Sequence, residues 1–85
     1  MEQKKLKDAV SPEFSRFIKR RREELGYSVQ QVASAIDRSP SYISRIESRK
    51  RNNPSVCIVY RLAILLEVTF EDLVKVAFSN EYLND

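Results

Sequence analysis

An all-α fold, a compact bundle of five helices, is what this 85-residue sequence predicts. Three observations carry that expectation. Apolar residues recur at helical spacing along most of the chain, and no segment reads as a strand. Five hydroxyl residues, Ser11, Ser28, Ser39, Ser55 and Thr69, each stand just ahead of such a run, where a side-chain oxygen satisfies the free N–H groups of a helix start. Pro12 and Pro40 directly follow two of these caps, at the first helical position, where a missing N–H costs nothing. A chain of this length has room for one domain and one modest core.

The first ten residues, MEQKKLKDAV, are mostly polar, lack periodicity and read as a frayed N-terminal segment. The domain is expected over residues 11–78. Its first helix begins at Ser11 and Pro12, with Glu13 favoured by the helix dipole and Phe14, Phe17, Ile18 and Leu25 as the core stripe. Gly26, the only glycine, falls where a left-handed C-terminal cap is wanted. Lys19, Arg20, Arg21 and Arg22 form a charge run, read as a solvated helix face, because consecutive helical residues point in different directions and cannot all reach one partner. The second helix, about 28–35, opens with Ser28 and Gln31 as a capping box and carries Val32, Ala33 and Ile36 on one face. Asp37 and Arg38 leave only a tight turn before the third helix, about 39–48, which faces inward with Tyr42, Ile43 and Ile46. The fourth, from Ser55 to about Leu66, is apolar nearly all round and so predicted to be central. Thr69 with Asp72 resembles a capping box and opens the fifth helix, with Phe70, Leu73, Val74 and Ala77 inward. Residues 79–85 form a tail that keeps Tyr82 and Leu83.

Composition excludes several classes. With no histidine and one cysteine, neither a transition-metal site nor an internal disulfide framework is expected, and no cofactor is implied. The longest apolar run, Val56 to Leu66, is interrupted by Arg61 and too short to span a bilayer. The lone cysteine and the lack of a signal-peptide pattern predict the cytoplasm. There is no glycine-rich phosphate loop and no nucleophile–base pair, so no enzyme is expected.

The net charge of +3 is unevenly spread. Residues 37–55 hold five cations against Asp37 and Glu47, for +3, whereas residues 67–85 hold Lys75 against five acids, for −4. A basic middle and an acidic end place an anion-binding face on one side of the fold only. The third helix leaves Ser41, Ser44, Arg45 and Ser48 outward, small hydroxyls and a cation that suit base edges and phosphates in a major groove. Arg49, Lys50, Arg51, Asn52 and Asn53 follow as a basic, amide-rich loop, the loop expected to contact phosphate. On the same logic Lys4, Lys5 and Lys7 offer a second reading of the first ten residues, as an arm along the DNA backbone.

From Phe14 to Val74 the sequence resembles the Cro/repressor-type (XRE) helix-turn-helix regulators, whose domains are of the lambda-repressor-like kind. The resemblance rests on Arg22 with Leu25-Gly26-Tyr27-Ser28, Val32-Ala33, Ser39 through Tyr42-Ile43-Ser44-Arg45-Ile46-Glu47, Lys50-Arg51, Asn53-Pro54-Ser55, and Leu62-Ala63 with Leu66. It implies a domain that binds operator DNA, usually as a homodimer, with palindromic half-sites about 10 bp apart. It implies base-facing places for Pro40, Ser41 and Arg45, with Ser39, Tyr42 and Ser44 beside them. It also implies a structural ion pair between Arg22 and Glu47. Three departures matter. Val29 stands where the family often has a phosphate-binding glutamine, which moves that contact to Ser28 or Gln30. Asp37 and Arg38 replace a glycine and a small apolar residue in the turn, leaving Arg38 to reach phosphate. Pro40 offers only apolar contact, so direct readout falls mainly on Arg45, whose best partner is guanine.

Cys57, Arg61 and Ile64 share one face of the fourth helix, where the family tends to be polar. Two of the three are apolar, so this face is expected to be covered by the tail, the N-terminal segment or a second subunit. The competing function is a helix-turn-helix interaction module, such as an antitoxin or a regulator's protein partner, using that face and the acidic tail.

Overall fold

The computed structural model describes residues 9–79, and its secondary structure is five helices: α1 Pro12–Glu24, α2 Val29–Ala35, α3 Pro40–Glu47, α4 Val56–Leu65 and α5 Phe70–Ala77. Every start is capped as the hydroxyl pattern predicts. The side chains of Ser11, Ser28, Ser39, Ser55 and Thr69 accept from the backbone N–H groups of Phe14, Gln31, Tyr42, Ile58 and Asp72. At α2 the box is complete, with the Ser28 N–H donating to Gln31 Oε1 at 2.8 Å. The helix ends are as regular. Gly26, Asp37, Arg49 and Glu67 follow α1 to α4 with φ of 77°, 60°, 66° and 61°. After α1, α2 and α4 the next residue's N–H bonds back five residues: Tyr27 to Arg22, Arg38 to Ala33, Val68 to Ala63.

Helix α2 packs on α3, α4 on α5, and α1 on both α5 and α3. One core results, built on Phe14, Ile18, Val32, Ile36, Ile43, Ile46, Ile58, Leu62, Leu66 and Leu73. Polar clamps join the helix ends. The Arg21 Nε–H donates to the Leu66 carbonyl at the end of α4, 2.9 Å, and the Arg61 guanidinium donates to the Ile36 carbonyl at the end of α2, 3.0 Å. Both cations meet the negative end of a helix dipole.

Four expectations change. Val10, read as part of a frayed segment, is buried; its N–H donates to the Asn52 carbonyl at 2.7 Å. The 19–22 run is only partly a solvated face: Lys19 and Arg20 are exposed, while Arg21 and Arg22 each hold a partner across the bundle. Helix α4 is central on one side alone. It buries Ile58, Val59, Leu62 and Ala63 but leaves Val56, Tyr60 and Ile64 exposed at 72%, 56% and 61%, four residues apart on one stripe. Phe70, expected inward, is 39% exposed and lies against Tyr60, ring centroids 6.4 Å apart. Residue type alone set both of those expectations, and a bundle this small lacks the layers to bury an all-round apolar helix. Lys4, Lys5, Lys7, Tyr82 and Leu83 lie outside the described residues. Among the described residues no helix is long and apolar enough to cross a membrane.

Candidate nucleic-acid interface

Helix α3 is fixed from beneath by Ile43 and Ile46, both fully buried, and from the side by α1. The side fixing is an ion pair. Arg22 Nε and Nη2 donate to the two carboxylate oxygens of Glu47 at 2.7 and 3.1 Å, and Arg22 Nη1 donates to the Tyr27 carbonyl at 2.9 Å. The two side chains are 11% and 9% exposed. The hydrogen bond to Glu47 holds the Arg22 pKa above its ordinary value, against the lowering effect of burial. A fork-on-carboxylate pair of this kind sets orientation as well as distance.

With its inner face so held, α3 turns Pro40, Ser41, Ser44 and Arg45 to solvent, together with the cap Ser39. The Ser39 and Ser41 hydroxyls lie 3.2 Å apart. Tyr42 is half-buried and differs from its neighbours. The guanidinium of Arg51 lies 4.9 Å from its ring centroid and that of Arg38 5.9 Å, one from the loop after α3 and one from the turn before it. Arg38 also donates to the Asp37 carbonyl at 2.8 Å. The loop exits α3 by a route of its own: the Arg51 N–H bonds the Arg45 carbonyl at 3.0 Å, one residue later than at the other helix ends. That extra residue brings Arg51 back beside α3.

The sequence-predicted phosphate residues divide. Arg38, Lys50, Arg51 and Asn53 are exposed around α3, with Ser28 and Gln30 exposed at the start of α2. Among the described residues, none of Arg38, Arg45, Lys50 and Arg51 has a carboxylate partner. Arg49 and Asn52 face another task. The Arg49 guanidinium donates to the Val10 carbonyl at 3.1 Å, and Asn52 accepts from the Val10 N–H through its backbone carbonyl, so Arg49 by its side chain and Asn52 by its main chain secure the start of the bundle. Sequence reasoning placed all five loop residues together because a contiguous basic run carries no sign that Arg49 turns its side chain back to the start of the bundle. It also missed the shared approach of Arg38 and Arg51 to Tyr42, which depends on the tertiary path of the loop. Among the described residues no group of His, Cys, Asp or Glu could hold a metal ion.

Known proteins resemble this chain in both sequence and fold. The sequence pattern of a helix-turn-helix family matches residues 18–73. The HTH-type transcriptional regulator SinR of Bacillus subtilis (strain 168) is 32% identical over 65 residues, which cover 76% of this chain and 59% of SinR. The chain thus spans about three-fifths of the length of that relative. Among solved structures, SinR in complex with DNA, described as the master regulator for biofilm formation, superposes with a TM-score of 0.66 at 31% identity, covering 72% of this chain and 97% of that one. The complex of SinR with SinI gives the same TM-score, identity and coverage of this chain, and 59% of that one.

Proposed function

The chain belongs to the helix-turn-helix family, of the Cro/repressor type, and from that premise we propose that it is a sequence-specific DNA-binding transcriptional regulator that lays α3 in the major groove of an operator. The observation that carries this is the outward face of α3: Ser41, Ser44 and Arg45 exposed between cations that have no acidic partner within the described chain. In this reading Ser39, Pro40, Ser41, Ser44 and Arg45 face bases, and Arg45 supplies most of the discrimination, about 1–3 kcal/mol if it meets guanine bidentately. Arg38, Lys50, Arg51 and Asn53 with Ser28 and Gln30 meet phosphate, and those contacts set register rather than sequence. Two copies on a palindrome would place the recognition helices about one DNA turn apart. The compartment of such a regulator is the cytoplasm.

Selection from a random duplex library, read by sequencing at two salt concentrations, tests the proposal. An enriched motif, which Arg45→Ala flattens at one or two positions, supports it. Steep salt dependence with no motif would replace it with phosphate-driven architectural binding. No binding at either salt would remove DNA as the partner.

A second reading, as a protein-interaction module, is favoured by one observation. Val56, Cys57, Tyr60, Arg61 and Phe70 line an open groove of about 480 Å³ between α4 and α5. An open groove with an apolar lining suits a partner's side chains, and SinR is itself known in complex with another protein. The two readings are compatible, since the groove and α3 are separate surfaces.

A further inference from the structure

We propose that Tyr42 positions the phosphate-binding cations of this surface: its ring gathers the guanidiniums of Arg38 and Arg51, which flank α3 in the chain, into one anion-binding unit beside the first turn of α3. The inference rests on the DNA-binding reading above and gives Tyr42 a task other than reading a base.

The two arginines come from different places. Arg38 closes the turn after α2, its N–H bonded to the Ala33 carbonyl at 2.9 Å and its guanidinium to the Asp37 carbonyl at 2.8 Å. Arg51 lies beyond the far end of α3, returned toward it by the bond from its N–H to the Arg45 carbonyl. Both guanidiniums lie within about 6 Å of the Tyr42 centroid, the range in which a ring quadrupole attracts a cation. Two like charges brought to one ring repel each other. The ring offsets part of that repulsion, and an anion between or beside the two removes more. Arginine side chains are long and lose rotamer freedom on binding, so cations already gathered on a half-buried ring bind phosphate with less ordering left to do. Ring and cations together therefore form a preorganised contact, and one aromatic residue sets the place of two charges that are thirteen residues apart in sequence.

The test uses the full chain and two labelled duplexes, one carrying the selected motif and one scrambled, titrated over a salt series. Thermal unfolding of each variant is measured in parallel. Tyr42→Leu is expected to weaken binding to both duplexes by the same factor. It should also lower the slope of log K against log salt by about 1–2, the signature of one or two lost phosphate contacts. Tyr42→Phe, which keeps the π face, is expected to restore the slope. Loss confined to the motif duplex, with the slope unchanged, would overturn the proposal and make Tyr42 a base reader. So would a Tyr42→Leu variant that binds like the wild type. If Tyr42→Leu does not fold, Arg38→Gln and Arg51→Gln, singly and together, give the same answer: a non-additive loss supports one unit, and additive losses overturn it. A wild-type chain that binds neither duplex overturns the DNA-binding reading and this inference with it, an outcome distinct from failure of the ring alone.

Discussion

Glu47 receives two of the guanidinium N–H groups of Arg22 and is nearly out of solvent, so each partner satisfies a charge that the other keeps away from water. Removing one side leaves the other charge buried and unpaired. Glu47→Ala is expected to cost on the order of 3–5 kcal/mol, a large share of the stability of a domain this size, read as a fall in the urea midpoint. Replacing both, as Arg22→Met with Glu47→Leu, is expected to recover a large part of that loss, because well-packed apolar residues do without the desolvation that the ion pair requires. At this scale the sequence was uneven to read. The pairing of Arg22 with Glu47 was visible through the family resemblance. The partners of Arg21, Arg49 and Arg61 were not, since each donates to a backbone carbonyl on another element. Any residue type supplies a carbonyl, so no side-chain pattern announces that partner.

Helix starts and helix ends carry different amounts of information. The five caps were legible because only Ser, Thr, Asp and Asn put an oxygen in reach of the free N–H groups. The ends were legible at Gly26, and at Asp37 as a position able to turn left-handed. Arg49 and Glu67 take the same conformation without any such sign. A non-glycine residue there carries a steric cost of about 1–2 kcal/mol, offset in part by the lower entropy of its unfolded state. Glu67 is exposed, so its replacement tests this cleanly. Glu67→Gly is expected to stabilise the bundle by about 0.5–1 kcal/mol, seen as a higher denaturant midpoint with an unchanged m-value. Arg49→Gly would relieve the same strain and lose the bond to Val10 as well, so its net effect is expected to be smaller. Helix α4 shows where the pattern stops being informative. Nine of its ten residues are aliphatic, aromatic or cysteine, so composition marks no face, and only packing tells Ile58 and Leu62, which are buried, from Val56 and Ile64, which are not.

For the whole molecule, the joint that closes the bundle is a pair of residues at its start. Val10 is 6% exposed and donates to the Asn52 carbonyl, while its own carbonyl accepts from Arg49. Ser11 donates through its N–H to the Ala77 carbonyl at 2.7 Å and through its hydroxyl to the Val76 carbonyl at 2.8 Å. Two consecutive residues thus tie the basic loop, the end of α5 and the first turn of α1 together. If they belong to the same cooperative unit as the core, their amides exchange with solvent only when the whole domain unfolds. Val10→Ala is expected to cost about 1–3 kcal/mol, from lost burial and the space left behind. Hydrogen exchange then separates two cases. Protection of the Ile43 and Leu62 amides falling by the same free energy as that of Val10 places the strap in the global unit. A loss of protection confined to residues 10–11 and 49–52 would make it a local latch on the basic loop instead. The first outcome is expected, because the strap bonds to the end of α5, which itself packs on α1 and α4, and opening it exposes the N-terminal end of α1, where Phe14 is fully buried. The loop beside the proposed DNA surface would then be as stable as the bundle, and its cations would be presented by a fixed frame.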